Sequence, residues 1–103
     1  RICAASRTEF QALYDRLGVK TEERGESFYN SMLQSVIDEL EQGGIAQQSE
    51  GATCVFVDGH KVPLIVKKSD GGFGYASTDM AALKHRLGRE KADWIICVTD
   101  VGQ

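Results

Sequence analysis

The chain has 103 residues, 42% of them hydrophobic and 26% charged, the make-up of one ordinary globular, soluble domain with a modest core. Fifteen acidic side chains (Asp+Glu 15) against 12 basic ones give a formal net charge of −3, which leaves no general basic field to hold nucleic acid, and no DNA partner is expected. No run approaches the roughly 18 apolar residues of a membrane span, and the opening Arg1-Ile2-Cys3-Ala4-Ala5-Ser6-Arg7 lacks the apolar core of a signal peptide.

Phe10, Leu13, Tyr14 and Leu17 recur at helical spacing, which predicts an amphipathic helix over Ile2–Leu17 with its stripe in the core and Gly18 as its stop. Val19–Glu22 reads as a short strand and Gly25-Glu26-Ser27 as a turn. In a second helix, Met32 or Leu33 with Val36, Ile37 and Leu40 form the apolar stripe, and Gly43-Gly44 ends it. Three strands are expected next, at Ile45–Gln48, Thr53–Val57 and Val62–Lys67. The last two are joined through Asp58-Gly59, a pair suited to a tight hairpin, so a small antiparallel sheet is expected. Pro63 puts its strand at an edge or gives it an irregular entry.

The run Lys68-Ser69-Asp70-Gly71-Gly72-Phe73-Gly74 concentrates glycine beside an acid and an aromatic. Such a loop suits backbone bent around a ligand, but composition by itself favours a solvated turn between strand and helix. From Ser77 or Thr78, Met80, Ala81, Leu83 and Leu87 predict a helix of about ten residues, with a hydroxyl N-cap, Asp79 in its first turn and Gly88 as its stop. Trp94-Ile95-Ile96-Cys97-Val98 is continuously apolar, within a strand expected over Asp93–Asp100 and buried on both faces of a parallel sheet. Helix and buried strand together make half of a βαβ unit. Ligands collect beyond the carboxyl ends of such strands, where Asp100, Gly102 and Gln103 stand.

Tyr75 and Asp79 are four residues apart at a helix start, so one turn brings a phenol and a carboxylate toward the same space. That pair suits a planar guanidinium, which gives two parallel hydrogen bonds to the carboxylate and a third to the phenol oxygen. On spacing alone, the simpler alternative is favoured: Asp79 interacting with the positive end of its own helix. Cys3, Cys54 and Cys97 are odd in number and widely spaced, which suggests neither a disulfide framework nor a zinc site and makes reducing cytosol the default compartment. His60 and His85 add no ligand spacing and read as surface or rim residues; no metal site is expected.

The run from Lys68 to Leu83, together with Ala92–Gln103, closely resembles the arginyl-tRNA synthetases, and Leu17-Gly18-Val19, Gly25–Asn30 and Gly51-Ala52 fit the same family, most like its eukaryotic cytosolic members. The resemblance implies an α/β chain, part of the Rossmann-like catalytic domain of a class I synthetase. Residues 1–66 resemble the latter part of an α+β connective insertion carrying the small antiparallel sheet, and residues 67–103 the return into the catalytic domain. It implies that Tyr75 and Asp79 hold the guanidinium of L-arginine and that Gln103 contacts the amino acid near its α-amino end. The implied reaction joins the arginine carboxylate to the α-phosphate of ATP, with magnesium, and transfers the arginyl group to arginine tRNA in the cytoplasm.

Neither class I signature motif is found in the chain, so catalytic residues are expected outside it, and the segment alone is expected to make no adenylate and to hold neither ATP nor magnesium. The chain lacks an initiator methionine and stops at Gln103 just after a predicted strand, so both ends are expected to be cuts through something longer. Gly74 and Ala76 stand where many members carry polar or acidic residues, and Cys97 replaces the usual tyrosine. For Glu26, Ser27 and Tyr29, contact with the tRNA acceptor end and a purely structural loop are equally supported. The alternative to an enzyme fragment is a stand-alone, non-catalytic binding module derived from a synthetase.

Overall fold

The structure, a computed structural model, describes residues 1–102; Gln103 lies outside the described residues. Helix α1 spans Ile2–Leu17 and ends at Gly18, as its periodicity predicts. Its stripe, however, is not core. No residue of α1 is buried, and Phe10, Leu13 and Leu17 are 55%, 52% and 65% exposed. Amphipathic spacing marks a face able to be buried, and no other described helix or strand packs broadly against this one. The ion pair from Arg7 Nε to Glu23 Oε1, at 2.7 Å, ties α1 to the irregular segment that follows. Val19–Glu22 forms no strand, for it has no neighbouring strand to complete a ladder.

A 3₁₀ helix at Glu26–Met32 runs into α2 (Leu33–Gln42), which ends at Gly43. Strands β1 (Ala46–Ser49), β2 (Ala52–Val55) and β3 (Leu64–Lys67) form the expected antiparallel sheet in the order β1-β2-β3. The tight hairpin is β1–β2, where Glu50 and Gly51 take φ of 51° and 81° between the paired Ser49 and Ala52. The predicted tight turn at Asp58-Gly59 does form, with His60 N–H donating to Val57 O at 3.1 Å, but it sits within a longer connection because pairing stops at Val55 and resumes at Leu64. β3 follows Pro63 and is an edge strand, as proline requires.

Helix α3 (Tyr75–Gly88) packs on α2, on β3 and on the 3₁₀ helix. Two apolar clusters result, one of Tyr29, Leu33, Val36, Ala81 and Ala82, the other of Ile37, Ala46, Val55 and Val66. Leu40 packs against both, so α2 is the central element of the core. Ile37 and Val66 are 1% and 0% exposed. Full burial of such a side chain contributes about 1.5–3 kcal/mol.

Two sequence expectations fail here. His85 is no rim residue: it is 8% exposed and meets the rings of Phe28 and Tyr29 edge-on, with centroids 5.3 and 5.8 Å away. The expected buried parallel strand is absent. Trp94–Val98 has no strand partner among the described residues, and Trp94, Ile96 and Val98 are 81%, 71% and 95% exposed. A strand buried on both faces needs parallel neighbours and covering helices, and neither stands beside this segment.

Candidate functional site

The glycine loop is a tight reversal leading out of β3. Lys68 N–H donates to Gly72 O at 2.7 Å, Gly71 N–H donates to Lys68 O at 3.0 Å, and Asp70 Oδ1 accepts from Gly72 N–H at 2.8 Å. Such an aspartate-closed turn orders the loop from within. Gly71 has a φ of 87°, where a side chain is strained. Phe73 then bridges Lys67, and Gly74 N–H donates to Val66 O at 3.3 Å. A Cβ on Gly74 would lie 2.7 Å from Ile65 O. The close approach made by Gly74 is therefore to the protein's own β3.

α3 begins at Tyr75, ahead of the predicted start, with Gly74 as N-cap and no side-chain cap. The Ser77 hydroxyl, expected to cap backbone N–H groups, instead donates to Gly74 O at 2.5 Å. The earlier start carries a consequence for Asp79. It is the fifth residue of the helix, beyond the first turn in which a helix end attracts an anion, so the interaction with its own helix loses its basis.

Tyr75 and Asp79 stand on successive turns of α3, where Cβ atoms at this spacing lie about 5–6 Å apart. Tyr75 is 83% exposed and Asp79 is exposed too. Among the described residues, neither side chain has a hydrogen-bond or ion-pair partner in the protein. Between them, Ala76 packs against the sheet-side cluster and Ser77 is 1% exposed, so the same turn is anchored on one side and open on the other. The third residue of the site, Gln103, lies outside the described residues; Gly102 before it is exposed.

Sequence reasoning missed a polar cavity of about 290 Å³ on the loop's flank, lined by Ser69 with Gln34, Glu41, Gln48, Thr53 and Lys67. Gln48 Nε2 donates to Glu41 Oε1 at 2.7 Å and to Thr53 Oγ1 at 2.8 Å, while Lys67 Nζ donates to Gln34 Oε1 at 3.0 Å. These partners come from separate elements, and spacing along the chain gives no sign of their meeting.

It also missed the aromatic cluster at the far end of α3. The Arg24 guanidinium lies 4.6 Å over the Phe28 ring and bonds Glu22 and Glu90, at 3.2 and 3.1 Å. The hydrogen bond to Glu22 above all, with the charges of Glu90 and Glu22, raises the pKa of Arg24. Tyr29, weighed as a tRNA contact, is 3% exposed and belongs to the core, so the structural reading holds for it. Among the described residues, no group of three or more His, Cys, Asp or Glu side chains gathers into a metal site.

A family model for "tRNA synthetases class I (R), catalytic domain" matches residues 1–103. The chain is 57% identical over 103 residues to the cytoplasmic arginine–tRNA ligase of Arabidopsis thaliana, matching 100% of the chain and 18% of that protein. It is 58% identical over 103 residues to the chloroplastic/mitochondrial arginine–tRNA ligase of the same plant, matching 100% of the chain and 16% of the relative. The arginine–tRNA ligase of Trichodesmium erythraeum is 55% identical over 108 residues, 99% of this chain and 18% of the relative. The crystal structure of arginyl-tRNA synthetase from Plasmodium falciparum superposes with a TM-score of 0.90 at 44% identity, over 98% of this chain and 18% of that one. The chain thus spans less than a fifth of the relatives it matches, and throughout that span it belongs to the class I (R) tRNA synthetase catalytic-domain family.

Proposed function

We propose that the polypeptide carrying this segment is an arginine–tRNA ligase of the cytoplasm, and that the exposed turn of α3 forms one wall of its arginine pocket. The observation that carries the reading is the pair Tyr75 and Asp79: two polar side chains, exposed and without protein partners among the described residues, on successive turns at the anchored start of α3. Asp79 supplies the charge and accepts two guanidinium hydrogen bonds; the Tyr75 oxygen accepts a third. A site built around both leaves its polar groups unpaired with a neutral analogue, a mismatch that discriminates strongly. Gln103 is assigned to the α-amino end of the amino acid.

In this reading residues 1–66 are the latter part of a connective insertion, and residues 67–103 re-enter a Rossmann-like catalytic domain in which Asp93–Asp100 finds its parallel neighbours. The segment orients the substrate and contributes no nucleophile. Joining the arginine carboxylate to the ATP α-phosphate depends on positioning and on stabilising charge at phosphorus, and ATP, magnesium and the acceptor end of arginine tRNA are assigned to other parts of the polypeptide. Magnesium, when bound with ATP, supplies charge neutralisation at the phosphates.

Calorimetry of the full-length protein tests the pocket. Arginine should bind at least about tenfold more tightly than citrulline, and Asp79→Ala should abolish the difference. Equal affinity for the two amino acids, or normal arginine binding by Asp79→Ala, overturns the assignment.

A further inference from the structure

Resting on that pocket, we propose that Ser77 is a positioning residue for arginine: its buried hydroxyl holds the start of the helix from whose first two turns Tyr75 and Asp79 project. Ser77 lies two residues after Tyr75 and two before Asp79, and a residue so placed faces away from both. It is 1% exposed, among the most completely buried side chains of the chain, where Tyr75 is 83% exposed.

The Ser77 hydroxyl donates to Gly74 O at 2.5 Å, and the same carbonyl accepts Ser77 N–H at 3.2 Å. Gly74 in turn donates its N–H to Val66 O at 3.3 Å and packs against Ile65 O too closely for a Cβ. A continuous path thus runs from the edge strand through the Gly74 carbonyl and the Ser77 hydroxyl into the first turn of α3. The turn has no side-chain N-cap, so this inward bond is its side-chain tether. A serine hydroxyl bonded back to a carbonyl three residues earlier competes with regular helix and biases local geometry. In the interior of a helix that bias is a defect; here it fixes the angle at which α3 leaves the loop.

Guanidinium recognition depends on that angle, because a bidentate bond to Asp79 and a third bond to Tyr75 must be satisfied together. A turn freed by loss of the hydroxyl keeps both side chains and loses their registration. Arginine binding should then weaken while later steps proceed.

The test is aminoacylation of arginine tRNA by the full-length protein, with arginine varied. Ser77→Ala should raise the arginine KM about three- to tenfold with kcat within about twofold, the change expected for loss of one hydrogen bond. Ser77→Thr, which keeps the hydroxyl, should restore the KM. Cys54→Ala, at a buried position of β2, should lower the Tm and leave the arginine KM unchanged. If Ser77→Ala lowers the Tm like Cys54→Ala and leaves the KM alone, the hydroxyl is structural and the proposal is overturned. Asp79→Asn separates the two readings: normal arginine binding by that variant removes the pocket itself, whereas its loss beside an unaffected Ser77→Ala removes only the role of Ser77.

Discussion

His85 Nδ1 lies 4.0 Å from Glu90 Oε2 and has no hydrogen-bond partner among the described residues, although the His85 side chain is only 7% exposed. An unpaired buried polar atom costs about 1–3 kcal/mol, while edge-on aromatic contacts such as those with Phe28 and Tyr29 contribute about 0.5–1.5 kcal/mol. The two ring contacts together, about 1–3 kcal/mol, roughly offset the unpaired nitrogen. His85→Leu should leave the chain as stable as before or more stable by about 1 kcal/mol, read as an unchanged or higher denaturation midpoint. A loss above about 1.5 kcal/mol would show that the imidazole is paired in solution.

Tyr75→Phe removes one oxygen from a side chain that is 83% exposed, so the folded chain loses no packing. Thermal unfolding should be unchanged within about 0.5 kcal/mol. In the full-length protein, arginine affinity should fall about 3- to 20-fold, with affinity for neutral citrulline changing less. Unaltered arginine affinity would remove Tyr75 from the pocket.

Two glycines, one in the loop before α3 and one at the far end of that helix, should respond with opposite signs. Gly71, at φ 87°, is strained by any side chain, and Gly71→Ala should destabilise by about 1–2 kcal/mol. Gly88 ends α3 with open space around it, and Gly88→Ala should stabilise by about 0.5 kcal/mol by restricting the unfolded chain. Urea denaturation of the two variants gives the signs directly.

Trp94, the chain's one tryptophan, is 81% exposed and reports on the missing strand. In the isolated segment its emission should be that of a solvated indole and freely quenched by acrylamide. In the full-length protein it should shift to shorter wavelength and resist quenching, as pairing of Asp93–Asp100 in a parallel sheet demands. A solvated Trp94 in both would refute that placement.

Local patterns were legible where they depend on the chain itself. The apolar spacing and glycine stops of α1 and α2 lie in the sequence because helix periodicity and C-capping are short-range properties. The antiparallel sheet was legible for the same reason, although the tight hairpin belongs to Glu50-Gly51 rather than Asp58-Gly59. Tyr75 and Asp79 were visible as a pair, but spacing could not tell a ligand-facing acid from one serving its own helix.

What the sequence by itself determined is the order and type of most elements and, through its likeness to the arginyl-tRNA synthetases, the family. Tertiary structure decided which of those elements are buried. The stripe of α1 and the run Trp94–Val98 have the composition of core yet lie open, because burial requires a matching surface and these residues have none beside them. Tyr29 and His85 are core because the 3₁₀ helix and α3 meet around them. The start of α3 was decided in the same way. Gly74 fits against the backbone of β3 and the Ser77 hydroxyl bonds back to Gly74, and that contact sets the helix start at Tyr75, which leaves Asp79 as an exposed fifth residue beyond the first turn.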